Sequence, residues 1–308
     1  MQGLECWPRI AALIASARVA APPRVGVVYP LSAVALEAAV LAQREGVISP
    51  VLYGPADGIR ALARVHNIDL SQTEIVATSN VPRECANIAA RHASAGKVAA
   101  LMKGSLHTDE LLSAVIARAN GLYVRERLSH TFAFDIPNFP RWLLVADAVV
   151  NVSPSLKAKR SIIRNALRVS GALGIERARV AIVAATEDIN PNIPATLDAQ
   201  AIVALGLAGE FGNAIVGGPF GMDNAISERA AAVKGIKHPV AGLADILIAP
   251  DLNAGNILYK SLIYLAGAEC AGVILGAKVP IILTSRADSA VSRVASCALA
   301  AQISGDKF

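Results

Sequence analysis

The chain has few aromatic residues, 4% of its 308, and few charged ones, 17%, against a hydrophobic fraction of 54%. A core so poor in rings has to be assembled from Ala, Val, Leu and Ile. That suits helices laid on a buried parallel sheet, whose strands read as continuous apolar runs. The four cysteines (Cys6, Cys85, Cys270, Cys297) include no C-x-x-C pair, so neither a disulfide framework nor a zinc site is indicated. The five histidines are equally dispersed, and no metal is expected. Mean hydropathy is +0.48, yet no apolar run reaches the ~20 residues of a spanning helix. Asp147, Glu210, Asp245 and Glu269 interrupt the candidates. Glu5 and Pro8, with no basic stretch leading into a clean apolar one, argue against a signal peptide. The expectation is a soluble, cytoplasmic chain without a membrane partner.

Neither common nucleotide fingerprint, G-x-G-x-x-G or G-x-x-x-x-G-K-[ST], is present. Net charge is +5, and the densest basic segment, Lys157 to Arg160 with Arg164 and Arg168, falls within one helical pattern. A solvated helix face opposite an apolar stripe accounts for it; a docking surface for a polyanion is the other reading. No aromatic residues are interleaved there, which argues against single-stranded nucleic acid, and no nucleic-acid partner is expected.

What the sequence does contain is alternation. Strand-like runs at 25–29, 48–53, 74–77 and 97–102 are each followed by a helical pattern. Ser32 suits an N-cap, Thr108 caps a further helix, and Asp109 and Glu110 favour its dipole. After 132–136 and 142–151, two more strand-like runs, a second series follows, with a helix at 154–173, a strand at 179–184 and a helix at 195–207. A short strand at 214–216 then leads into Gly217-Gly-Pro-Phe-Gly221 and a helix from Asp223 to about Lys234. Such spacing predicts doubly wound, mostly parallel α/β sheets. The length allows two domains, and prolines 137 and 140 suggest a boundary near residue 128.

Two strand-to-helix junctions carry the chemistry. At Pro250-Asp-Leu-Asn-Ala-Gly-Asn-Ile-Leu-Tyr-Lys260, the residues Asp251, Asn253 and Asn256 cluster at a turn, with Tyr259 and Lys260 a turn further on. An ordinary connection needs one cap, not three Asx residues and a lysine. At Leu283-Thr-Ser-Arg-Ala-Asp-Ser289, Ser285 is expected to cap the last helix, with Arg286 in its first turn. A hydroxyl, a guanidinium and unpaired N–H groups would converge there as a cradle for phosphate or carboxylate. Ser285 and Asp288 also spell S-x-x-D, a capping box without catalytic work. That leaves Arg286 unexplained, because a cation in a first turn opposes the helix dipole.

Together Pro-Asp-Leu-x-x-Gly-Asn-x-x-Tyr-Lys, Gly218-Pro with Asp223 and Ala225, and Ser285-Arg286 resemble the phosphate acetyltransferase and phosphate butyryltransferase family. The similarity covers most of the chain. Leu101-Met-Lys-Gly104, Asn190-Pro191, Val240-Ala-Gly242 and the 283–289 segment look closer to the butyryltransferase branch. The resemblance implies reversible transfer of a short-chain acyl group between coenzyme A and inorganic phosphate. Coenzyme A would be a substrate, and no cofactor would be bound permanently. It also implies two α/β domains in an isocitrate/isopropylmalate dehydrogenase-like arrangement, with the active-site cleft between them. Residues 1–128 and 279–308 would form one domain and 129–278 the inserted other, in a homodimer or larger oligomer.

For that reaction Arg286 would balance phosphate charge, and the Ser285 hydroxyl or nearby N–H groups would stabilise the oxyanion. Lys103 could add positive charge, and Gly218, Asp223, Asp251, Asn253, Asn256, Tyr259 and Lys260 would contact substrate. Acetyltransferases carry an aspartate seven residues after the serine, where this chain has Ser292. Asp288 is the substitute base, with Ser292 or no dedicated base as alternatives. His130 follows Ser129 beside the expected cleft, where a structural role is equally open. A dehydrogenase of the same fold and a non-catalytic binder of coenzyme A or acyl phosphate are the other readings.

Overall fold

The computed structural model describes residues 4–283 and 288–305. The chain forms two compact units, Met1–Glu126 with Ala271–Phe308, and Arg127–Cys270.

The first unit opens with a helix the pattern did not suggest, α1 (Pro8–Ala17), which buries Ile10, Leu13 and Ile14. Four strand–helix steps follow: β1 (Arg24–Val28), α2 (Ala33–Arg44), β2 (Ser49–Gly54), α3 (Ala56–Val65), β3 (Glu74–Ala77), α4 (Pro82–Ser94), β4 (Ala100–Lys103) and α5 (Thr108–Ile116). Ser32 caps α2, its hydroxyl accepting the Ala35 N–H at 3.3 Å. Thr108 does not cap α5: His107 holds that position and its N–H donates to Glu110 at 2.9 Å, so the cap lies one residue earlier.

The second unit contains β5 (Ser129–Asp135), β6 (Leu143–Ala146), α6 (Leu156–Ala172), β7 (Arg179–Val183), α7 (Pro194–Leu207), β8 (Ile215–Phe220), α8 (Met222–Ile226), α9 (Glu228–Val233), β9 (Ile246–Ile248) and α10 (Leu252–Tyr264). Three expectations shift here. The run at 142–151 is a strand only as far as Ala146. The helix expected from Asp223 to Lys234 is broken at Ser227, whose hydroxyl takes the Ala230 N–H at 3.2 Å and starts α9. The basic run on α6 is not simply a solvated face. Lys159 is buried and bonded to Asp198 of α7 at 2.7 Å, while Arg160 and Arg164 share the Glu210 carboxylate. That contact lowers the Glu210 pKa, mainly through the Arg160 hydrogen bond.

The chain then returns to the first unit through β10 (Glu269–Leu275), β11 (Ile281–Ile282) and α11 (Ala290–Gly305). Strand order is β3-β2-β1-β4-β11-β10 in the first unit and β5-β6-β9-β7-β8 in the second. Pairing is parallel except for β5 with β6 and β10 with β11. In the first unit, α1 and α2 pack with α11, and α4 packs with α5. Outside β3, most strand residues are buried, which is why the runs read as apolar without alternation. In the second unit the core gathers Phe132, Phe134, Leu143, Val145 and Leu247, with Tyr259 packed against it.

Candidate active site

In the second unit, the 250–260 motif is first of all a fastening. β9 ends at Ile248, and the Asp251 carboxylate caps α10 by accepting the Ala254 N–H at 2.9 Å. α10 then lies so close to the turn after β6 that a Cβ on Gly255 would stand 2.3 Å from the Asp147 carbonyl oxygen. Asn256 donates its amide to the Ala148 carbonyl at 3.1 Å. Tyr259 stacks on Phe132, ring centroids 4.3 Å apart and planes 22° from parallel. Asn253 and Lys260 are exposed on α10, available to solution. Asp251 and Asn256 already hold structural bonds, which answers why the junction needs more than one Asx residue.

The turn that α10 seats on is organised by a buried carboxylate that the sequence reading missed. Asp147, 2% exposed, accepts N–H bonds from Val149 at 2.9 Å, Val150 at 3.1 Å and Asn151 at 3.0 Å. The His130 N–H adds a fourth at 3.3 Å. Arg127 holds Asn151 from the other side at 2.7 Å. A lone Asp inside Leu143-Leu-Val-Ala-Asp-Ala-Val-Val150 was the available signal, since an unpaired buried carboxylate is costly. His130 itself is buried against the Phe132 ring at 4.0 Å.

The glycine run is also explained by packing. Gly218, at φ +152°, lies against β7, where a Cβ would meet the Ile182 carbonyl oxygen at 2.8 Å; one on Gly217 would meet the His238 ring at 2.5 Å. Asp223 is exposed and 3.3 Å from Lys234, which also binds Glu187 at 3.1 Å. Its pKa is lowered, first by the Asn224 N–H and further by Lys234. At the opposite edge, Asp245 is clamped by Arg179 through Nε at 2.9 Å and Nη2 at 2.8 Å. Those bonds raise the arginine pKa.

In the first unit, Lys103 ends β4 and its ammonium donates to the Leu106 carbonyl at 3.1 Å. β11 runs parallel to β4 with Ile282 opposite Met102, so both strands reach the same sheet edge. Ser285 and Arg286 lie outside the described residues. α11 begins at Ala290, and its cap is Ser289, whose hydroxyl accepts the Ser292 N–H at 2.9 Å. Asp288 precedes α11 and its Ser289 cap, so it is not the third residue of a capping box on that helix. Nor does Asp288 share a helical face with Ser292, because it precedes the helix. Ser292 is 5% exposed, and its carbonyl accepts the Ser296 hydroxyl at 2.8 Å.

The family model described as "Phosphate acetyl/butaryl transferase" matches residues 79–301. The chain belongs to that family. A phosphate acetyltransferase of Rhizobium meliloti is 44% identical over 298 residues, covering 94% of this chain and 91% of that protein. A probable phosphate butyryltransferase of Bacillus subtilis is 48% identical over 229 residues, covering 74% and 76%. The more identical relative covers less of the chain, so identity alone does not assign a branch. The crystal structure of a branched-chain phosphotransacylase from Enterococcus faecalis superposes with a TM-score of 0.79 at 28% identity, covering 91% of this chain and 99% of that one. Among the described residues no three His, Cys, Asp or Glu side chains cluster to hold a metal.

Proposed function

We propose that the chain catalyses reversible transfer of a short-chain acyl group between coenzyme A and inorganic phosphate. The family match over 79–301 carries this reading. In the forward direction a phosphate oxygen attacks the thioester carbonyl, and a tetrahedral oxyanion forms. The C–S bond then breaks, leaving acyl phosphate and a thiolate that takes up a proton. The phosphate dianion needs a cation beside it, which is the role given to Arg286, with Lys103 as a further positive charge. The Ser285 hydroxyl is assigned to the oxyanion. In reverse the coenzyme thiol, whose unperturbed pKa lies above neutrality, has to lose its proton, and Asp288 is the proposed base. Asn253 and Lys260, exposed on α10, are the side chains of the 250–260 motif best placed to meet the coenzyme.

The test is a panel of acyl-CoA thioesters assayed for thiol release with and without phosphate. Release that needs phosphate supports the reading; binding of coenzyme A without turnover would favour the non-catalytic alternative. Asp288→Asn should slow the acyl-phosphate-to-coenzyme direction by about 10²-fold, with the deficit shrinking as pH rises and the thiol ionises unaided. Equal loss at every pH would remove the base assignment.

We also infer a homodimer or larger assembly, because Ile257, Tyr264 and Leu265 stand 66%, 68% and 86% exposed along one face at α10. A monomeric mass in sedimentation equilibrium would exclude it. No described helix is long and apolar enough to cross a membrane, and none of Cys6, Cys85, Cys270 and Cys297 is in a disulfide. A reducing compartment suits them, so we place the enzyme in the cytoplasm.

A further inference from the structure

We propose that Asp147 is a positioning residue for the coenzyme: its buried carboxylate sets the affinity for coenzyme A by fixing the turn on which α10 is seated. The proposal rests on the acyl-transfer reading, which gives α10 its contacts with the coenzyme through Asn253 and Lys260.

The sheet brings the turn and the helix together. β6 and β9 run parallel with Ala146 opposite Ile248, so the segments that follow them leave the same edge side by side. That edge, at the carboxyl ends of the strands, is where α/β folds hold ligands. The segment after β6 is the turn 147–152, and the one after β9 opens α10. The two are fastened directly. The Leu252 N–H donates to the Val152 carbonyl at 3.1 Å, and the Asn256 amide donates to the Ala148 carbonyl at 3.1 Å. Between them Gly255 sits so close that a Cβ would stand 2.3 Å from the Asp147 carbonyl oxygen. Each of these contacts lands on the backbone of the turn, so α10 is placed only as well as that backbone is held. Asn253 and Lys260 stand on the exposed side of the same helix.

One carboxylate holds the turn. The N–H groups of His130, Val149 and Val150 converge on its Oδ1, and the N–H and side-chain amide of Asn151 converge on its Oδ2. Successive N–H groups turned toward one centre form a nest for an anion, and here the chain fills the nest with its own side chain. An amide cannot replace it. Both oxygens accept from more than one donor, so Asn at 147 would aim its NH2 at N–H groups in either orientation. Asn151 cannot turn to compensate. Its Oδ1 already accepts the Arg127 Nε–H at 2.7 Å, and its Nδ2 also donates to the Leu128 carbonyl at 2.8 Å. Asp147→Asn therefore keeps the shape and opens the nest, and the carbonyls that seat α10 move with it.

The experiment uses the full chain with Asp147→Asn and Asn256→Ala, singly and together, and measures calorimetric affinities for coenzyme A and for inorganic phosphate. Asp147→Asn should weaken coenzyme A binding about tenfold, the scale of leaving buried donors unpaired. Affinity for phosphate should stay at the wild-type value, a split that general loosening of the fold would not produce. Asn256→Ala cuts the link between turn and helix and should show the same selective loss. Together the two should weaken binding by less than the product of the single effects, because they break one linkage. Wild-type affinity for coenzyme A in Asp147→Asn overturns the proposal, as does equal loss for both ligands or a double variant whose losses multiply. If Asp147→Asn does not fold, Asn256→Ala decides: selective loss supports the proposal, and wild-type affinity overturns it. Turnover is scored separately. A wild type that binds coenzyme A but transfers no acyl group refutes the functional reading alone, and one that does not bind coenzyme A overturns both.

Discussion

Arg286→Ala should lower phosphate-dependent release of coenzyme A by about 10²–10³-fold, the usual consequence of removing one group that stabilises developing charge. The melting temperature should stay at the wild-type value. A dianion approaching a carbonyl that itself becomes negative needs a cation that cannot lose its proton, and a guanidinium meets that condition while offering two parallel N–H bonds. Arg286→Lys keeps the charge and loses the fork, so it should recover only part of the rate. This argument does not use the helix dipole. The case for Arg286 rests instead on its place in the family motif beside Ser285. Undiminished activity in the alanine variant would remove it from the mechanism.

Gly255→Ala should be the most damaging small substitution in the second unit. The added methyl would stand 2.3 Å from the Asp147 carbonyl oxygen and 3.1 Å from the Ala148 Cα, both backbone atoms that cannot swing aside. Relief requires α10 to lift off the turn, which would also stretch the Asn256 bond to the Ala148 carbonyl, now 3.1 Å. Overpacking of this kind costs about 1–3 kcal/mol and sometimes more. Thermal unfolding should show a drop of several degrees, and activity should fall with it if α10 carries coenzyme contacts. Gly255→Ala melting with the wild type would show that the close approach is not maintained in solution.

The sequence shows where helices and sheets alternate because buried parallel strands leave continuous apolar runs, as at Val25–Val28 and Ile246–Ile248. It shows the Ser32 cap because a hydroxyl three residues before an amide is a local arrangement. It does not show where the strand after Leu143 stops. Asp147 turns the chain there by collecting N–H groups from 149 to 151 and from His130, and the last of these is set by tertiary contact. β10 went unread because Ala271 and Gly272 have weak strand preference; the strand pairs antiparallel with β11, Ile274 opposite Ile281.

The candidate site divides in the same way. Pro250-Asp-Leu-Asn-Ala-Gly-Asn256 stood out as too polar for a plain connection, and that much was legible. Which Asx residues fasten the helix and which remain exposed was not, because a cap, a packing bond and a substrate contact use the same atoms.

The most direct test of the account is the stoichiometry of a single reaction mixture containing the enzyme, a short-chain acyl-CoA and inorganic phosphate. The account predicts one acyl phosphate formed for each thiol released, and no release when phosphate is omitted. Thiol release that continues without phosphate, or without acyl phosphate appearing, would contradict it.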